Sequence, residues 1–156
     1  MGINKEINQA SFRNEYHKAL VNVIYSSNWI LERVKKFVEK EDITHQQYNI
    51  LRILRGSDSP LSTLQIRDRM LDNMSDTSRI VERLIKKELA HKVVCSHDKR
   101  LVDVTITLKG NELLLRLDND IVELDNILYG ISGGEAEQLN ILLDKMRDSS
   151  SAAPQK

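Results

Sequence analysis

Apolar and polar positions alternate along this chain with a helical beat for most of its length. Phe12, Tyr16, Leu20, Val23, Ile30, Val34 and Phe37 follow one another mostly at steps of three, four or seven, which predicts one long helix with an apolar face. ITHQQYNILRILRG predicts a second helix, opened by a Thr44-x-x-Gln47 capping box and closed at Gly56, a natural place for a left-handed residue. After Ser-Asp-Ser-Pro, Ser62-x-x-Gln65 caps a short third helix bearing Ile66 and Met70 and ending near Leu71. Ser75 is the expected cap of a fourth, SDTSRIVERLIKKEL, with Ile80, Val81, Leu84 and Ile85 on one arc and Arg79, Glu82, Arg83 and Lys86 on the other.

The beat then changes to that of a strand. KVVCS and LVDVTIT are short, β-branched and separated by His-Asp-Lys-Arg, the pattern of a hairpin. Thr107 begins another helix, in which Leu114, Leu117, Ile121, Leu124 and Leu128 trace a 3-4-3-4 seam; at some 22 residues it would be about 33 Å long. That seam is narrow enough to serve a partner helix, and burial within the same chain explains it equally well. Ser132-x-x-Glu135 caps a last helix carrying Leu139, Leu142 and Met146, and the tail SSSAAPQK reads as disordered.

Composition agrees with a mainly α fold. Aromatic residues make up 4% of 156, so the core must rest on aliphatic seams, and the length suits one domain with extensions. The single cysteine, Cys95, excludes an internal disulfide, and neither a membrane span nor an apolar leader core is visible, so a cytoplasmic protein with no membrane partner is expected. No Gly-rich phosphate loop, nucleophile motif or paired carboxylates emerge, which argues against an enzyme.

The formal net charge is zero, but the average hides a gradient. Residues 60–100 hold 9 basic and 6 acidic side chains, whereas residues 101–148 hold 4 and 10. A basic centre beside an acidic flank suits a region that faces phosphates. Two short helices joined by LDNMS, the second presenting Arg and Ser/Thr outward, have the form of a helix-turn-helix that reads a major groove, and the hairpin that follows makes it a winged one. At the hairpin tip, Lys99 and Arg100 are within reach of a minor groove, with Asp98 to aim the guanidinium. The plainer reading of Asp98 and Arg100, a solubilised turn, stands on equal terms from spacing alone.

At this point the chain resembles the MarR (multiple antibiotic resistance regulator) family. DKRLVDVTITLKG is similar to its wing signature, D-x-R, a strand, then [LI]-T-x-x-G, at Asp98, Arg100, Ile106, Thr107 and Gly110, and MSDTSRIVERLIKKELAHK is similar to its recognition helix and the exit from it. The resemblance spans about residues 12–147. Two places depart from it: Glu88 stands where the family usually has Gly, so any left-handed residue closing that helix has to be Glu, and Ala90-His91-Lys92 replaces a more usual Val-Glu-Arg.

The resemblance implies a mainly α fold with a small two- or three-stranded β wing: a winged helix-turn-helix at residues 44–107, helical dimerisation regions at 1–43 and 108–148, and a tail at 149–156. It implies a homodimeric transcription regulator of double-stranded DNA, a repressor on a pseudo-palindromic operator. It also implies a small amphipathic, commonly phenolic, effector in a crevice between dimer helices and winged domain, for which Tyr16, His17, Tyr25, Trp29 and Tyr48 are the candidates. No cofactor is implied. Their alternative role is packing, the usual fate of sparse aromatics in a helical protein.

Within that frame Arg79 is the first choice for a guanine contact. Ser75, Thr77 and Ser78 at the helix start suit phosphates. Arg83 and Lys86 suit the DNA backbone, unless Glu82 takes one of them as a surface pair. Arg100 is placed in the minor groove with Asp98 and Lys99 beside it. His91, Cys95 and His97 share one face of a strand but match no compact zinc spacing, and nothing around Cys95 marks it as a reactive thiol. The competing function is a dimeric helical interaction module that keeps the winged fold without reading sequence.

Overall fold

The computed structural model describes residues 2–72, 74–94 and 102–148. Contacts divide the chain at Ile121/Val122 into two compact units. The first holds a short α1 (Ile3–Glu6), the long α2 (Glu15–Glu39), α3 (His45–Arg55), β1 (Leu61–Ser62), α4 (Thr63–Arg69), α5 (Thr77–Lys86), β2 (Ala90–Val94), β3 (Val102–Ile106) and α6 (Leu108–Asn119). The second holds α7 (Val122–Asp125), a 3-10 turn (Asn126–Leu128) and α8 (Gly133–Asp148). No described helix is long and apolar enough to cross a membrane.

Helix boundaries follow the capping chemistry. Thr44 and Ser62 each accept a hydrogen bond from the backbone N–H three residues on, and Gln47 and Gln65 return the bond to the cap backbone, so both capping boxes are complete. Ser132 and Glu135 do the same ahead of α8. Gly56 differs from expectation: its φ is −81°, so the second helix ends without a left-handed residue, and its N–H bonds back to Arg52.

The core of the first unit forms around α3. α3 packs against α2, α4, α5 and α6, and Ile50 and Leu51 of α3, Val38 in the last turn of α2, Ile66 of α4, Leu84 of α5 and Leu114 of α6 are all fully buried. Burying such an aliphatic side chain stabilises by about 1.5–3 kcal/mol, so α3 ties the helix-turn-helix to the helices on either side of it. The sheet is antiparallel with order β1-β3-β2: Leu61 faces Val104, and β2 runs from Ala90 opposite Ile106 to Val94 opposite Val102.

The long helix expected from Thr107 onward is interrupted. Thr107 does cap α6, accepting from Gly110 N–H at 3.0 Å, but α6 ends at Asn119 and helix resumes only at Val122. The cause is local. Asp118-Asn119-Asp120 are three weak helix formers in a row, and two acids at a helix C-terminus oppose its dipole. Their carboxylates are drawn sideways: Arg55 binds Asp118 through two nitrogens at 2.6 and 3.3 Å, and Lys40 reaches Asp120 at 3.3 Å. Leu114 and Leu117 are accordingly core residues of the first unit, whereas Leu128 is exposed.

On α2 the apolar face is covered at one end only. Phe37 and Val38 are buried, while Tyr16, Leu20 and Ile24 are 88%, 59% and 55% exposed. Leu139, Ile141, Leu142 and Met146 of α8 are exposed as well.

Candidate nucleic-acid interface

Residues 63–86 form the helix-turn-helix, and its connection is held by side chains. The Asp72 carboxylate accepts from Met74 N–H at 3.0 Å and from the Ser75 hydroxyl, and these bonds, the hydroxyl's first, hold it below the ordinary aspartate range. Asn49 of α3 accepts from Leu71 N–H at 3.0 Å, fastening the turn to the core.

The cap of α5 is Asp76, one residue after the expected Ser75; its Oδ1 accepts from Arg79 N–H at 3.2 Å. Ser75 is instead committed to Asp72. Thr77 is corrected as a surface contact: it is buried, its hydroxyl donates to Met70 Sδ at 3.4 Å, and its N–H bonds to Ser75 O. A threonine that looks polar in sequence lies on the same arc as Val81 and Leu84, and so it packs.

The outward arc of α5 carries Ser78, Arg79, Glu82, Arg83 and Lys86, all exposed. Arg79, Arg83 and Lys86 stand at i, i+4 and i+7, which puts three cations on one stripe about 10 Å long. Arg79 Nε lies 3.0 Å from Asp76 Oδ2, with the Arg79 side chain 82% exposed. Glu82 does not neutralise its helix neighbours, because its carboxylate pairs with Lys92 on β2. Arg83 and Lys86 have no ion-pair partner among the described residues.

A shallow cavity of about 240 Å³ opens between α4 and the head of α5, lined by Thr63, Leu64, Arg67 and residues 75–78. Arg67 belongs to this face and was not among the residues singled out in the sequence; its signal there was the pair of basic residues, Arg67 and Arg69, in the last turn of the short helix that precedes α5.

The passage from α5 into the wing explains the Ile-Thr-x-x-Gly motif physically. Glu88 N–H bonds to Ile85 O and Leu89 N–H to Leu84 O, the paired closure of a helix that needs a left-handed residue, and Glu88 has φ +62°. Thr107 then donates its hydroxyl to Glu88 O at 2.7 Å and its N–H to Leu89 O at 3.1 Å. At Gly110 a Cβ would lie 2.3 Å from Leu89 O, so only glycine lets α6 pass this close to the helix exit. Lys109 binds Glu88 at 2.9 Å and holds that carboxylate below its ordinary range.

Asp98, Lys99 and Arg100 lie outside the described residues, as do Cys95 and His97; His91 is exposed on β2. Among the described residues no group of three metal-type side chains is assembled.

The five effector candidates are not brought together in one protomer. Tyr16 and Trp29 are on one helix about 20 Å apart, His17 accepts from Arg13 N–H, and Tyr25 donates to Glu6 at 3.1 Å. Tyr48 is buried edge-on against Phe37 and accepts from Arg52. A second cavity, of about 390 Å³, is lined by other residues: Glu39, Asp42, Ile43, Thr44, Gln47, Arg83 and Lys87.

No family model and no curated protein matches the chain. Solved structures do. A mutant MarR from E. coli in complex with operator DNA aligns with a TM-score of 0.77 at 17% identity, over 88% of this chain and 99% of that one. The S. aureus MepR–DNA complex aligns with a TM-score of 0.72 at 24% identity, over 89% and 99%. Bordetella bronchiseptica BpsR, whose DNA binding is regulated by 6-hydroxynicotinic acid, aligns with a TM-score of 0.71 at 19% identity, over 80% and 95%. With a helix-turn-helix and a three-stranded antiparallel sheet in a mainly helical architecture, the chain has the fold of the MarR-family transcription regulators.

Proposed function

We propose that this chain is a sequence-specific double-stranded DNA-binding transcription regulator that acts as a homodimer: residues 44–107 read DNA, and residues 1–43 and 108–148 join two copies. The observation that carries this reading is the stripe of Arg79, Arg83 and Lys86 on the outer face of the second helix of the helix-turn-helix, two of its three cations without a described partner. Cations left unneutralised at Arg83 and Lys86 suit a polyanion, and the place of the stripe on α5 suits the major groove. The similarity in fold to proteins solved on DNA supports the same reading.

Dimerisation follows from the uncovered apolar end of α2. Tyr16, Leu20 and Ile24 are costly to leave in water and self-complementary in a two-fold pairing. Two copies also double the phosphate contacts and make a pseudo-palindromic operator the natural target. The regulator acts as a repressor and is released by a small amphipathic effector; the ligand-regulated relative BpsR supports that step.

The test is nuclease footprinting of the gene's own upstream region. Protection of a two-fold-related site, lost with Arg79→Ala, is the expected result. Uniform protection without a site points to the interaction-module alternative.

A further inference from the structure

Asp76 commits both carboxylate oxygens to a single residue. Oδ1 accepts the backbone N–H of Arg79 at 3.2 Å, and Oδ2 is ion-paired with its side-chain Nε at 3.0 Å. The first bond is the helix cap, so the carboxylate is fixed to the α5 backbone before it meets the guanidinium. The other acid within reach on the helix, Glu82, is spent on Lys92 of the wing.

We propose that Asp76 is a specificity-determining positioning residue: by holding the Nε edge of Arg79, it leaves only the two terminal amino groups to face a base. This rests on the DNA-reading function proposed above and goes beyond it. A guanidinium has five N–H donors in a fixed fork, and more than one of its edges matches the paired acceptors O6 and N7 of guanine. Unheld, the same side chain also swings to a phosphate, which adds affinity without selectivity. With Nε occupied, one presentation remains. The carboxylate also repels the DNA backbone, so Asp76 lowers affinity for every sequence while sharpening the choice among them.

Asp76→Asn separates these effects, because Asn caps as well as Asp through Oδ1 but its amide nitrogen cannot accept from Nε. Asp76→Ser is the second variant: it also caps, and its side chain is too short to reach the guanidinium. Binding of the full-length protein is measured against a panel of single base-pair changes across the footprinted site, the position read by Arg79 being the one whose preference disappears in Arg79→Ala. Both Asp76 variants should bind scrambled DNA more tightly than wild type and lose roughly tenfold in discrimination at that one position. In an Arg79→Ala background, Asp76→Asn should leave base preference unchanged.

Unchanged discrimination in folded Asp76 variants overturns the proposal, and so does a change in preference that persists without Arg79. If Arg79→Ala abolishes preference nowhere, Asp76 has nothing to position and the proposal falls. A wild-type protein that does not distinguish its site from scrambled DNA overturns the DNA-reading function itself, which is a separate outcome.

Discussion

The Thr107 hydroxyl donates to the main-chain carbonyl of Glu88 at 2.7 Å, joining the start of α6 to the residue that closes α5. The orientation of α5 is therefore set from behind, by a junction 19 residues away in sequence, and substitutions there test the fold independently of DNA.

Glu88 holds a left-handed backbone at φ +62°, a conformation that costs any residue with a Cβ. Glu88→Gly removes that cost and gives up only an exposed ion pair with Lys109, 57% and 79% exposed. A rise of a few degrees in Tm by calorimetry is expected; a fall would mean that the ion pair outweighs the backbone term.

Gly110→Ala acts at the same junction in the opposite direction. Its Cβ would meet Leu89 O at 2.3 Å and Ile106 Cγ1 at 2.8 Å, so α6 must shift away from the helix exit. A loss of about 3 kcal/mol in chemical denaturation is expected, at the upper end of overpacking costs.

Much of this was legible in the chain beforehand, and the misses have a common cause. The capping boxes at Thr44, Ser62 and Ser132 were readable because both partners lie within four residues. The resemblance marked Glu88 as the position where a left-handed residue, if the helix closed with one, had to be Glu, and its φ is +62°. What could not be read was which partner a polar side chain takes: Asp72, three residues back, draws Ser75 out of the capping position, Met70 receives the Thr77 hydroxyl, and Arg55 and Lys40, far off in sequence, hold the acids where the expected long helix breaks. The strand Leu61–Ser62 was invisible as a strand because two residues have no periodicity, and its pairing with β3 is the only thing that defines it.

The Glu41–Arg116 pair makes stability depend on pH. Arg116 binds both Glu41 oxygens, at 2.9 and 2.7 Å, and the guanidinium holds the carboxyl below its ordinary 4.5. A depressed carboxylate contributes above its unfolded pKa and loses that contribution as the pH falls through the lower folded value. Glu41→Gln should therefore lower Tm at pH 7, with the difference from wild type shrinking as the pH drops below the carboxylate range. A difference independent of pH would assign the effect to packing.

Leu20→Glu places a charge in the uncovered face of α2. Sedimentation equilibrium should show the dimer weakened by at least about tenfold, since a buried unpaired charge is expensive, and operator binding should weaken with it. An unaltered dimer would place the interface elsewhere.

Arg79 and Arg83 should differ in kind. Arg79→Ala relaxes base preference at one position per half-site, whereas Arg83→Ala weakens binding to all sequences alike and lowers the salt slope by about one. Arg100→Ala should likewise weaken binding without relaxing preference in the major groove. Equal relaxation in all three would dissolve the division between reading and anchoring residues.

The central claim, that this winged fold reads DNA sequence, is tested most directly by fluorescence anisotropy of the purified protein on its own promoter fragment and on scrambled DNA of equal length, at two salt concentrations. The expected result is tight binding to the promoter at two protomers per site, weakening steeply with salt, and much weaker binding to the scrambled fragment. Equal, weak binding to both would contradict it.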